Sequence, residues 1–229
     1  MSKHVGIVGC SAEGAALCYR TLCTEGERHL GEHDHPEVSV HTFPLARYME
    51  YIDADDWGGV GDLMSRSAIK LAEIGADFAI CPDNTIHQAF EHAAGQSPIP
   101  WLHIAEAVAE QARVEGFQKL GVTGTAYLMT GPVYPAALGR FGIDQVIPEP
   151  AARSEINRII FDELVKGVFT DDAKRYFAGV FADLRERGCD AVVMGCTEIP
   201  ILMDGVDTPL PTLDSTRILA RAALEEALA

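Results

Sequence analysis

Two stretches decide how this chain folds: Gly75-Ala76-Asp77-Phe78-Ala79-Ile80-Cys81-Pro82-Asp83-Asn84-Thr85 and Gly188-Cys189-Asp190-Ala191-Val192-Val193-Met194-Gly195-Cys196-Thr197-Glu198. Each starts on a glycine, runs through a short apolar strand and reaches a polar cluster eight residues later, at Asp83 in the first and Cys196 in the second. Their offset of 113 is close to that of two other pairs. Gly6-Ile7-Val8-Gly9 matches Gly121-Val122-Thr123-Gly124 at 115, and Pro98-Ile99-Pro100 matches Pro209-Leu210-Pro211 at 111. Three motifs in one order at nearly constant offset indicate an internal duplication.

Around these motifs, short apolar runs alternate with segments of helical period. Residues 5–9, 38–43, 76–81, 119–124 and 190–195 read as buried parallel strands. Residues 57–75 and 156–169 carry apolar side chains at i, i+3, i+4, and 84–94 has the same spacing with Ile86, Phe90 and Ala93 on one face. Strand–helix alternation predicts an α/β fold of two pseudo-symmetric lobes, each a parallel sheet flanked by helices, with the site in the cleft between them. The expected first lobe is 1–97 plus 210–229, with 98–209 the second and the last helix returning to the first. Ligands of open parallel sheets bind beyond the carboxyl ends of the strands. The residues there are Cys10 and Ser11, Asp83 to Thr85, Thr123 to Thr125 and Cys196 to Glu198.

Composition narrows the class. With 48% hydrophobic residues the chain can build a core, yet no apolar run approaches the roughly 20 residues of a membrane span. The opening MSKHVGIVGC enters a strand directly, so a cytoplasmic protein with no membrane partner is expected. A net charge of -16 repels nucleic acid and obliges any anionic substrate to find a local positive pocket. The six cysteines lack zinc-finger spacing, and His33-Asp34-His35 has no third ligand nearby, so no metal is expected. The glycine turn at 6–14 is not G-x-G-x-x-G, and no lysine sits beside a strand end to hold pyridoxal phosphate. The expected cofactor content is none.

Asp83 and Cys196 each follow a strand and open a predicted helix, where a cysteine's pKa is lowered by the positive helix end. Related halves would set the two side chains on opposite walls. Two proton-transfer groups on opposite faces of one carbon are what inversion without a cofactor requires.

Asp83-Asn84-Thr85-Ile86-His87 and Gly195-Cys196-Thr197-Glu198-Ile199-Pro200 resemble the paired motifs of the pyridoxal-phosphate-independent aspartate/glutamate racemase superfamily. The resemblance extends to GTAY (124–127) and INRIIFDELVKG (156–167) and covers essentially the whole chain. The glutamate after Cys196-Thr197, where glutamate racemases carry histidine, is similar to the aspartate racemase branch. The resemblance implies an amino-acid racemase and a homodimer. It also implies that Asn84, Thr85, Thr197, Thr123 and Thr125 hold the substrate's carboxylate and amine. An arginine near Arg47 would clamp a distal carboxylate. Ser11 and Glu198 join these as substrate-binding residues, with Cys196 and Asp83 as the catalytic pair.

The departure is Asp83, which stands where the family has its first cysteine. A carboxylate, with an ordinary pKa near 3.9, is the weaker base. Three readings stay open: an Asp/Cys racemase or epimerase of an acidic or other small amino acid, a one-sided isomerase, decarboxylase or lyase using Cys196, and a carboxylate-binding protein without catalysis. Cys81 reads as core. His87, one turn after Asp83, either orients it or packs, and His103 and Asp214 occupy matching repeat positions near the crossovers. Glu13 could cap the first helix, and Lys166 is a weak match to a family lysine.

Overall fold

The computed structural model of the protein describes residues 2–229. In chain order the elements are β1 (Val5–Gly9), α1 (Ala12–Leu30), β2 (Val38–Thr42), α2 (Leu45–Asp53), α3 (Trp57–Glu73), β3 (Phe78–Ile80), a 3-10 turn (Thr85–Ala89), α4 (Phe90–Gly95) and β4 (Trp101–Leu102). There follow α5 (Ile104–Glu115), β5 (Lys119–Thr123), α6 (Ala126–Thr130), α7 (Val133–Gly139), β6 (Asp144–Val146) and α8 (Pro150–Asp162). A second 3-10 turn (Leu164–Lys166) leads to α9 (Asp171–Glu186), β7 (Ala191–Met194), α10 (Glu198–Leu202), β8 (Thr212–Asp214) and α11 (Ser215–Leu228).

The strands form two all-parallel four-stranded sheets of identical topology, β2-β1-β3-β4 and β6-β5-β7-β8. The chain is thus an α/β protein of two like units, 1–104 with 216–229, and 105–215. Trp101–Leu102 pairs with β3 and Thr212–Asp214 with β7, so each proline-rich segment leads into the fourth strand of its own sheet before the chain changes unit.

The duplication has a hydrogen-bonding reason at each repeated motif. The Asp77 carboxylate accepts from His4 N (2.7 Å), and Asp190 accepts from Gln118 N and Lys119 N (2.7 and 2.9 Å). Each aspartate thereby ties the start of its own strand to the start of the central one. The glycines before them, Gly75 and Gly188, have φ of 95° and 82°, which ends the preceding helix in a conformation that costs other residues energy. Pro100 and Pro211 each offer a carbonyl to the neighbouring strand, to Ala79 N (2.8 Å) and Val192 N (2.9 Å). Neither can donate, which an edge position tolerates.

Helix starts follow the caps. Ser11, Asp56 and Thr170 accept from Gly14, Gly59 and Ala173 N–H groups at the heads of α1, α3 and α9. Glu13 lies in the first turn and Ser11 is the cap. The helix predicted over 156–169 starts earlier, on Pro150, whose fixed φ suits a first helical position. It stops at Asp162, and Glu163 (φ -121°, ψ -67°) breaks the ladder before the 3-10 turn closes on Gly167. In the first unit Val8, Tyr48, Met64, Leu71 and Ile86 form a core, and α11 is held to the unit by a two-point Arg221–Glu25 pair and a Lys3–Glu226 pair. In the second, Phe177, Phe181 and Leu184 of α9 pack on Val192 and Ile160.

Gly195 is required by space. A Cβ there would lie 2.5 Å from Leu128 Cδ2 and 2.7 Å from the Thr123 carbonyl, which the Gly195 N–H itself binds at 2.9 Å. Gly195→Ala is expected to cost on the order of 1–3 kcal/mol in urea denaturation. Gly139→Ala, with nothing near the added carbon, should be neutral or stabilising. Equal stability of the two variants would contradict this packing.

Candidate active site

In the first unit the β1–α1 turn and the end of β3 meet through one side chain. Asp83 Oδ2 accepts from Cys10 N (3.0 Å) and Oδ1 from Ser11 N (3.1 Å), so each carboxylate oxygen takes an amide at the head of α1. Such donors stabilise the anion. Asn84 is buried with its carbonyl bound to His87 N, and Thr85 is half-buried at the start of the 3-10 turn. Ser11 gives its N–H to Asp83, and its hydroxyl oxygen accepts from Gly14 N.

Cys81 is fully buried, and burial followed by the Asp83 charge pushes its thiol well up, as suits a core residue. His87 binds the Cys81 carbonyl through Nε2 (2.9 Å) and packs on Phe90 and His103, with ring centroids 5.4 and 4.6 Å away. It therefore braces the strand end, and its bond goes to backbone. Tyr48 was not foreseen. It is fully buried, and burial first, then Cys10, Cys81 and Asp83, push its phenol well above the ordinary range. Its spacing from Leu45 and Ile52 on one face of α2 is the available signal.

In the second unit the Cys196 thiol donates to Glu198 Oε2 at 2.9 Å, and the Thr197 hydroxyl donates to the same oxygen at 2.8 Å. Glu198 and Thr197 are both 3% exposed. Glu198, expected among substrate ligands, is thus the partner of the thiol. The helix-end argument for a thiolate also changes. The helix after Cys196 has only five residues, and the turn after Asp83 is 3-10, so neither carries much of a dipole. A carboxylate beside the thiol instead accepts its hydrogen bond.

Thr123 is fully buried, and its hydroxyl goes to the Val193 carbonyl (2.8 Å), stapling β5 to β7. Thr125 caps α6, accepting from Leu128 N (3.2 Å). Asn157, inside the INRIIF segment, accepts from Ala126 N (2.8 Å) and had no assigned role in the sequence. Arg47 is exposed on α2 with its guanidinium 5.6 Å from the Phe43 centroid. Lys166 is exposed and lies 3.9 Å from Asp162. Among the described residues no group of three or more His, Cys, Asp or Glu side chains is arranged to hold a metal, and no helix is long and apolar enough to cross a membrane.

The duplicated sheets, with Asp83 and Cys196 at equivalent strand ends, agree with the sequence comparison. The Asp/Glu/hydantoin racemase family model matches residues 7–223. The chain belongs to the Asp/Glu/hydantoin racemase family. A candidate Asp/Glu racemase of known structure from Yersinia pestis is 30% identical, covering 99% of this chain and 100% of its own, with a TM-score of 0.90. An aspartate racemase homologue from Pyrococcus horikoshii is 26% identical over the same shares, with a TM-score of 0.85. The broad specificity amino-acid racemase RacX of Bacillus subtilis is 24% identical over 200 residues, 86% of this chain and 84% of RacX. Membership of this family makes the chain an isomerase.

The buried His87 gives a pH test. Burial, then the neighbouring His103, hold its pKa well below the ordinary 6.5, and its Nδ1 is buried without a partner. The unfolded chain therefore takes up this proton first as pH falls, so stability present above pH 6.5 is lost below it. Urea denaturation of the wild type should weaken from pH 7.5 to 5.5 by up to about 1.4 kcal/mol per pH unit below the unfolded value. His87→Gln should show a shallower slope, and identical slopes would refute the assignment.

Proposed function

We propose that the protein is an amino-acid racemase acting without pyridoxal phosphate, moving the α-proton of an acidic or other small amino acid with Cys196 and Asp83. The observation that carries this reading is the pair of equivalent strand ends bearing these two groups in a chain of racemase ancestry. Racemisation asks one group to remove the α-proton and a second to return a proton from the other side. Cys196 is the proton carrier. Glu198 accepts the thiol proton as sulfur becomes the base, and returns it when the thiol must act as an acid. Thr197, bonded to the same carboxylate oxygen, holds Glu198 in that position. Asn84, Thr85 and Thr125 supply polar groups for the substrate's α-carboxylate and amine.

A second reading is favoured by the two amides on Asp83. They stabilise its anion and make it a reluctant proton donor. On that reading Cys196 alone moves the proton, and the reaction is a one-sided isomerisation.

The test is proton NMR of both enantiomers of aspartate, glutamate and neutral amino acids in deuterated buffer, with chiral analysis of the same samples. Loss of the α-proton signal together with inversion is the expected result; Cys196→Ala should no longer invert and should exchange one enantiomer only, and Glu198→Gln should invert at least roughly a hundredfold more slowly. Exchange without inversion supports the one-sided reading. No exchange with any amino acid refutes the racemase reading.

A further inference from the structure

The Ala126 amide opens α6, and the first N–H groups of a helix have no acceptor within it. Thr125, the cap, accepts from Leu128 N at 3.2 Å, which leaves Ala126 to another residue. The acceptor comes from 31 residues along the chain: Asn157 Oδ1 of α8, at 2.8 Å. An N–H meets only the oxygen end of a carboxamide, so this bond fixes which way the Asn157 head lies. Its seat on α8 is set by packing, because Ile156, Ile159 and Ile160 share one buried core with Met129 of α6.

The turn held in this way abuts the strand end that carries the thiol. The Thr123 carbonyl takes the Gly195 N–H at 2.9 Å, and the Thr123 hydroxyl donates to the Val193 carbonyl at 2.8 Å. A Cβ on Gly124 would lie 2.8 Å from Leu128 Cδ2 and 3.1 Å from the Gly195 carbonyl oxygen. Residues 123–125 are thus fixed on two sides, by β7 before the turn and by Asn157 after it. In the first unit the corresponding amide, Ser11 N, goes to Asp83 Oδ1 at 3.1 Å. There the acceptor is the strand-end residue itself. In the second unit it is a helix side chain, and the strand end carries sulfur, whose thiol bonds Glu198.

We propose that Asn157 is a positioning residue of the reaction: by holding Ala126 N it sets Thr125 in place for the substrate's carboxylate or amine. It performs at the second unit the backbone task that Asp83 performs at the first. Its role in catalysis rests on the racemase reading, whereas the bond that performs it does not.

Amide exchange by NMR and steady-state inversion kinetics test this on Asn157→Ala and Asn157→Asp. In Asn157→Ala the Ala126 amide should exchange at least roughly tenfold faster, and KM should rise roughly tenfold with kcat unchanged, as expected for one lost hydrogen bond and a weakened binding contact. Asn157→Asp keeps an oxygen acceptor, as Asp83 does at Ser11 N, and should return both values to within about threefold of the wild type. In a Thr125→Ala background Asn157→Ala should alter KM by less than about twofold, since its effect passes through Thr125. Should Asn157→Ala not fold, Asn157→Ser, whose hydroxyl falls short of Ala126 N, takes its place. Unchanged Ala126 exchange overturns the proposal. So does a KM that Asn157→Asp does not restore, or a full KM effect in the Thr125→Ala background. Faster Ala126 exchange beside a wild type that inverts no amino acid refutes the racemase reading and leaves the holding of the turn established.

Discussion

The amides at the turn after the first strand need acceptors, and in this chain Asp83 supplies them. Its two oxygens take the N–H groups of Cys10 and Ser11. That pair of bonds joins the ends of β1 and β3 and fixes where Asn84 and Thr85 begin. In the second unit the amide equivalent to Ser11, by the offset of the repeat, is Ala126, and it binds Asn157 of α8. Cys196 turns its thiol to Glu198. One duplicated scaffold has met the same backbone demand in two ways, and this leaves its two strand ends chemically unequal.

This asymmetry explains why a carboxylate can stand at the first position without unfolding the turn. The Cys196 thiol lies beside the buried Glu198 carboxylate, which Thr197 also binds.

Much of this was legible in the sequence because the motifs carry backbone duties as well as chemistry. Gly75, Asp77, Gly188 and Asp190 recur because each sheet needs a left-handed turn and an acceptor at the start of its central strand. Pro100 and Pro211 recur because each sheet ends on an edge strand opened by a carbonyl. The short strands β4, β6 and β8 escaped because two or three residues show no period. At the site, residue types indicate position but not partner: the Thr123 hydroxyl goes to the Val193 carbonyl, and the Glu198 carboxylate takes the Cys196 thiol. Tyr48 and Asn157 were missed because their roles depend on helices that reach the strand ends only in the folded unit.

In the proposed reaction one group from each repeat moves a proton on the same carbon. Deuterium exchange into each pure enantiomer, followed separately in Cys196→Ala and Asp83→Asn, is the deciding measurement. Each variant should stop inverting its substrate, and each should still exchange one enantiomer, the opposite one in the two variants. Unimpaired racemisation by Asp83→Asn, or loss of all exchange in Cys196→Ala, would contradict it.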